Sequence, residues 1–330
     1  MADRPDAGGL RSNRPFLGIL SLIAGVSIFS IQDAFIKRLS DHYPVHQIVF
    51  VRSLVALGLL LLFVVLTEGA NGMRTRRLAL HGLRGLALFT SYMAYYLGLA
   101  SMSIAEAIAL FFTVPFFVAA LSNLVIGEPV GPRRWAAIVV GFSGVVVVLR
   151  PGAAVFEPAA CLPVFAALTY AVSALFARRL GSTESGGTMA LSAAIIYAVA
   201  SGLLALAVAP LGAPPDSHAS LRFLLQPWTW PGPGDLGLML LCGIIAAVGS
   251  FCLGQAYRLA EANTVAPFEY AALPWGVLWG WIFFANLPDR ATLLGGAIIV
   301  ASGLYILHRE RRQRRRIAPA PGAGSDPLAP

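Results

Sequence analysis

LGLASMSIAEAIALFFTVPFFVAALSNLVIGEPVGPRRWAAIVVGFSGVVVVLRPG, residues 97–152, contains two long apolar runs parted by the turn-and-charge signal GEPVGPRR. Each run approaches the roughly twenty residues that a helix needs to cross a hydrocarbon layer about 30 Å thick. Outward from this stretch, similar runs occupy 16–36, 45–67, 79–99, 104–126, 134–150, 158–178, 188–211, 235–258, 263–286 and 291–307. Lipid offers no hydrogen-bond partner, so a spanning segment must satisfy its own backbone and these runs read as helices. The short alternating segments of a membrane barrel are absent. The expected fold is an all-α integral membrane protein with ten transmembrane helices. Composition agrees: 57% of the 330 residues are hydrophobic and 12% charged, where a soluble domain carries about a quarter charged residues.

The charge pattern sets a topology. With the N-terminus in the cytoplasm, 17 of the 24 Lys and Arg fall on the inner side, 5 fall on the outer side, and Arg52 and Arg84 lie within spans. That bias favours both termini inside. Residues 1–15 read as a cytoplasmic segment, and the first run as an uncleaved span. The basic stretch Arg309–Arg316 reads as a topology anchor on an anionic leaflet, within a disordered cytoplasmic tail over 309–330. Nucleic-acid binding is not expected. Cys161, Cys242 and Cys252 lie in apolar runs without disulfide or zinc spacing. His42 and His46 are split by Pro44, so no metal site is expected. No phosphate-binding GxxxxGK[ST] motif, GxSxG or HExxH appears, and no cofactor is expected.

A weak internal repeat has an offset of 159 residues: Pro115 aligns with Pro274, Pro129 with Pro288, and Gly144 with Gly303. Five spans per half, an odd number, turn the second half over. The expected domains are therefore two inverted five-helix repeats, 16–150 and 151–308, with a solute site between them.

Ionisable groups inside a membrane are costly and mark function by default. At 1.5 Å per residue, Arg52 lies roughly 10 Å from the outer end of span two, level with Asp33 and Glu106. Glu269 lies roughly 9 Å, and Arg84 roughly 8 Å, from the inner ends of spans nine and three. An outer and an inner charge set suit a cavity reached alternately from two sides. Each residue also has a plainer reading. Asp33 could pair with Lys37, Glu106 could complement a helix dipole, Arg84 could snorkel, and Arg52 could be a structural partner for a carboxylate. Pro115 and Pro274 are candidate hinges, since proline removes a backbone donor and kinks a helix. Tyr92, Tyr95 and Tyr96 share a face that could stack a planar or cationic ligand. Tyr270, Trp275 and Gln255 are further binding candidates. The small residues Gly141, Ser143, Gly144, Gly295, Gly296 and Gly303 read as close helix contacts. The stretch 212–234 reads as an outer interfacial loop.

The opening stretch, with its mid-helix proline, its Gly-Glu at the helix end and its Gly-rich final span, resembles the second half of an EamA domain of the drug/metabolite transporter superfamily. Residues 235–307 repeat the layout, except that Asn286-Leu287 stands where the first half has Gly127-Glu128. The resemblance covers about 16–307. It implies ten helices, two EamA repeats and a central cavity lined by spans one, three, four, six, eight and nine. The stretch QDAFIKRLSDHYPVHQIVFVRS, residues 32–53, is similar to bacterial members assigned to S-adenosylmethionine or riboflavin uptake. The expected function is therefore a non-enzymatic secondary transporter in the bacterial inner membrane. It would move a small organic solute, planar or cationic (S-adenosylmethionine-like, riboflavin-like or an amino acid), by alternating access. Its partners are that solute, the bilayer and, if transport is coupled, protons taken up by Glu269 or Glu106. A lipid scramblase or scaffold, or a lipid-modifying enzyme, are the alternatives. Substrate identity, direction, coupling and oligomeric state stay open.

Overall fold

A computed structural model describes residues 15–69, 75, 77–126, 131–151, 157–180, 184–214, 216–259 and 266–317. The expectations for residues 1–14, for Gly127-Glu128 and for 318–330 lie outside them. The helices are α1 (Pro15–Leu39), α2 (Val45–Glu68), α3 (Leu78–Leu99), α4 (Ile104–Phe111), α5 (Val114–Ile126), α6 (Pro132–Leu149), α7 (Cys161–Leu180), α8 (Gly186–Val208), α9 (Ala219–Leu225), α10 (Pro233–Leu259), α11 (Ala272–Phe284) and α12 (Arg290–Ile317). Their ends follow local chemistry. Ser103 accepts from Glu106 N, Ser185 from Thr188 N and Asp289 from Thr292 N, each capping the helix that follows.

Seven segments are long and apolar enough to cross a membrane: α1, α2, α4 with the start of α5, α7, α8, α10 and α12. The shorter apolar part of α6, Trp135–Leu149, stands beside α12. With α3 and the 13-residue α11 packed among them, the described residues form a bundle of ten helical segments. Its outer surface exposes Leu62, Leu66, Val139, Leu203 and Leu206, the side chains that lipid would solvate.

Two spans are broken where the sequence reading placed hinges. α4 ends at Phe111, a bend occupies Phe112 and Thr113, and α5 starts at Val114 with Pro115 in its first turn. Pro115 has no N–H to give the Phe111 carbonyl, and its ring crowds that oxygen, so the helix restarts instead of bending smoothly. Span nine opens as a 3-10 turn over Ala266–Ala271 and becomes α-helical at Ala272, with Pro274 in the first α turn. Pro115 and Pro274 thus each lie in the first turn of the α-helix that follows the irregularity.

The tail expectation needs correction. α12 runs to Ile317, so residues 309–317 are helical and not disordered. Arg, Glu and Gln are good helix formers, and no Gly or Pro interrupts them. The stretch 212–234 is also more than a loop. It contains α9, whose Phe223 is buried. Trp228 Nε1 donates to His46 Nδ1 at 2.6 Å, and Gln47 Nε2 donates to the Thr229 carbonyl at 2.6 Å, so this segment is tied over the start of α2.

Consecutive spans alternate in direction. α1 runs antiparallel to α10, with Gly25 against Cys252 and Tyr43 against Asp235. α3 does so with α7, with Gly98 against Pro163 and Arg77 against Arg179. α6 does so with α12, where a Cβ on Gly144 would lie 2.8 Å from the Gly295 carbonyl oxygen. The start of α1 and the end of α12 therefore share one face of the bundle, called here the terminal face. The turns at 40–44, 100–103 and 285–289, with residues 150, 151 and 157, share the far face.

Burial differs sharply between the two ends. Near the far face α2 buries Val45, His46, Gln47, Ile48, Val49, Arg52 and Ser53, while its terminal half buries only Ala56, Leu60 and Val64. α3 buries Phe89, Met93, Tyr95, Tyr96 and Leu99 toward the far face, but only His81 and Gly85 toward the terminal face. α10 buries Cys242, Gly243, Ile245, Ala246 and Ala247 with Ile244 facing outward, and beyond Gly249 it buries only Ala256 among the residues whose side chains are described. On α2, α3 and α10 the far half is the more buried, whereas α7 stays buried through Leu175 and Leu180 near the terminal face.

Candidate functional site

A layer of phenols and charges sits at the edge of the more buried halves of α2 and α3. α1 presents Gln32 and Asp33 on adjacent positions, α3 presents Tyr92, Tyr95 and Tyr96, and α2 presents Arg52. Tyr96 OH donates to Asp33 Oδ1 at 2.7 Å and Tyr95 OH to Oδ2 at 3.0 Å. Arg52 Nη1 donates to Tyr92 OH, and its guanidinium lies over the Tyr92 ring at 4.2 Å and near the Tyr197 ring at 5.6 Å. The Gln32 amide is satisfied at both ends when its nitrogen donates to the Cys242 carbonyl at 3.0 Å and its oxygen accepts from Arg52 Nη1 at 3.1 Å. Asp33 and Arg52 are thus joined through intervening side chains, without direct contact. Arg52 is 8% exposed, and a guanidinium that deep persists only with such partners.

The column continues toward the terminal face. Tyr197 of α8 stacks edge-on with Tyr92 and Phe89 and feels the charges of both Arg52 and Arg84. Tyr170 of α7 feels both Arg84 and Glu269. Tyr170 packs edge-on against Phe111 at the α4 break, and Phe111 packs on Tyr95. Tyr170 is 39% exposed. Glu269, on the 3-10 turn, is exposed in the same terminal half. Gln255 Oε1 and Tyr270 OH are buried polar atoms with no protein partner. Tyr270 packs on Phe112 at the other break and lies against Gly303, where a Cβ would collide with its hydroxyl. Trp275 stacks on Trp279 at 5.5 Å, and Trp279 Nε1 donates to Ser30 Oγ of α1 at 2.9 Å.

The structure brings together Asp33, Arg52, Tyr92 and Tyr96, and reaches Arg84 and Glu269 through Tyr197 and Tyr170. Glu106 is not in this group, contrary to the expected outer cluster. It lies at the far face among the charges of Asp289, Arg150 and Glu157, and its field reaches Lys37. Lys37 does not serve Asp33 either. It donates to the Leu99 and Met102 carbonyls at 2.8 and 2.6 Å, closing the end of α3. Arg84 does not snorkel outward; it donates to the Met189 carbonyl of α8 at 3.0 Å. Gln32, Tyr170 and Tyr197 were missed. Their signal was available, as polar side chains isolated within apolar runs.

One apolar groove of about 480 Å³ lies between α4, α11 and α12, lined by Leu273, Pro274, Val277, Gly296 and Val300, among others. It has almost no polar lining and is separate from the column. Among the described residues no cluster of three His, Cys, Asp or Glu has the geometry of a metal site.

Comparison with known proteins agrees with this architecture. The EamA-like transporter family matches residues 16–150. A riboflavin transporter of Rhizobium johnstonii is 34% identical over 76% of this chain and 77% of its own. One of Vibrio cholerae is 30% identical over 92% of this chain and 97% of its own. The chain belongs to the EamA-like transporter family. An S-adenosylmethionine uptake transporter of Rickettsia prowazekii is 28% identical over 89% of this chain and 94% of its own. A solved crystal structure superposes with a TM-score of 0.60 over 90% of this chain and 97% of its own, at 18% identity, a likeness of fold. As an EamA-like protein, the chain is a small-metabolite transporter of the membrane.

Proposed function

We propose that this EamA-like protein is a non-enzymatic secondary carrier working by alternating access. Its halves, 16–150 and 151–308, are inverted copies, and it sits in a bacterial inner membrane with the terminal face cytoplasmic. The packing supports the pairing of halves. Exchanging the halves span for span turns the α1·α10 contact into α3·α7 and α2·α10 into α3·α8, and maps α2·α8 and α6·α12 onto themselves. Arg77, Arg133 and Arg179 on terminal-face segments support the orientation.

The observation that carries the reading is the polar column closed on one side only. The Asp33–Tyr96–Tyr92–Arg52 layer and the far-half packing shut one route, while Tyr170, Glu269 and Gln255 stand in the terminal half. That is a carrier in its cytoplasm-open state, with the Pro115 and Pro274 breaks as hinges. Glu269 and Asp33 are the carboxylates placed to carry a coupling proton; Glu106, at the far rim, is not. The relatives named for riboflavin and S-adenosylmethionine, and the rings of Tyr170, Tyr197 and Trp275, favour a planar heteroaromatic solute.

Uptake of labelled riboflavin and S-adenosylmethionine into proteoliposomes, with and without a pH gradient, tests this. Saturable uptake of one of them, reduced in Glu269→Gln, is the expected result. Uptake of either solute that Glu269→Gln leaves unchanged would remove Glu269 from the site. Lipid scrambling with no solute uptake would favour the scramblase alternative.

A further inference from the structure

We propose that Arg84 is an anion receptor, so that the carried solute bears a carboxylate or phosphate group; this rests on the transport reading above. Arg84 stands in the second turn of α3, bonded to α8 and near Tyr170 of α7. One of its five N–H groups is committed, to the Met189 carbonyl. Its Nε is buried and has no partner. The groups that face it electrostatically are the phenols Tyr170 and Tyr197. Among the described residues no carboxylate lies within ion-pair range of it.

Three other cations of the bundle are served. Lys37 has two carbonyls, Arg150 pairs with Asp289, and Arg52 is joined to Asp33 through the tyrosine layer. The acid at the α7–α8 turn, Glu184, is engaged by Thr75 at 2.8 Å and lies 3.7 Å from His81. An unpaired guanidinium beside phenols in a low-dielectric bundle is expensive, and a structural tie to one carbonyl does not need a charge. A planar fork whose Nε has no partner, beside the two phenols, matches a carboxylate or phosphate. The ring system of such a solute would lie along Tyr170 and Tyr197.

Two pairs of probes isolate the anion: flavin mononucleotide against riboflavin, and S-adenosylmethionine against its decarboxylated form. Each is titrated by thermal shift into purified wild type, Arg84→Gln and Arg84→Lys. In at least one pair the anion-bearing member should bind wild type about tenfold more tightly, the scale of one hydrogen bond to a charged group. That ratio should fall to about one in Arg84→Gln, with the anion-free member unchanged, and be partly kept in Arg84→Lys. A merely structural role would lower stability without moving the ratio. Equal binding within both pairs, or a ratio that survives Arg84→Gln, overturns the anion receptor and leaves the transport reading standing. Should Arg84→Gln not fold, an undiminished ratio in Arg84→Lys, which keeps the charge but loses the fork, overturns the guanidinium's role. No binding by any probe sinks both the receptor and the solute class.

Discussion

Tyr96→Phe should loosen the far-side closure without unfolding the protein. The phenol gives its proton to Asp33 Oδ1 at 2.7 Å, and the ring itself stays in place when the hydroxyl is removed. A hydrogen bond to a charged group is worth about 1.5–3 kcal/mol net. Tyr95 still serves Oδ2 at 3.0 Å, so the low end applies. If the bond exists only in the far-closed conformation, losing it raises the far-open population about tenfold. Cys242 reports on this directly. It is fully buried, and its carbonyl adjoins Gln32 within the same layer. With Cys161 and Cys252 replaced by serine, a membrane-impermeant maleimide added at the far face should label Cys242 about ten times faster in Tyr96→Phe than in its parent. An unchanged rate in a folded, monodisperse variant would refute the role of the tyrosine layer as a closure.

Further outcomes follow from single contacts. Gly144→Ala forces a Cβ to 2.8 Å from the Gly295 carbonyl and 3.0 Å from Ile298 Cβ, both on α12; the variant should lose about 1–3 kcal/mol, read by thermal unfolding in detergent. Asp289→Ala removes the cap of α12 and should cost about 1 kcal/mol. Burial pulls the Asp289 carboxyl up, but the Arg150 guanidinium and the Thr292 N–H outweigh it and hold the group at about 2. Since the folded value is depressed, its contribution is complete above the ordinary carboxylate range and fades as pH falls toward about 2. An acid titration of wild type against Asp289→Ala should converge across that window. Pro115→Ala returns a donor to the Phe111 carbonyl and should straighten span four, leaving the unfolding temperature within a few degrees but slowing uptake. Unchanged uptake would separate the break from the transport cycle.

Most of the architecture was legible in the sequence because apolar length is a local property. The runs became helices or broken helices within a few residues of their expected ends, except that the last helix continues to Ile317 and the start of span nine lies outside the described residues. The interior of span four was less legible. Pro115 signalled a kink, but a full restart at Val114 depends on Thr113 closing the turn, with its hydroxyl on the Leu110 carbonyl at 2.8 Å. Side-chain partners were the least legible. Lys37 sits four residues after Asp33, yet the end of α3, 62 residues away in sequence, takes its ammonium. Glu106 matched Asp33 in estimated depth but faces a different part of the rim. Depth along a helix is readable from sequence; the direction a side chain faces is fixed by neighbours many residues away. Tyr170 and Tyr197 were readable as polar side chains within apolar runs, but that they join the column was not.

The claim on which the rest stands is that water reaches the middle of the bundle from the terminal face alone. The direct measurement is labelling of Glu269→Cys, with the three native cysteines replaced by serine, using an impermeant maleimide applied to one side at a time. The account predicts rapid reaction from the side that also labels Gly186→Cys, an open position on the terminal face. Reaction from the opposite side only, or from neither, would contradict it.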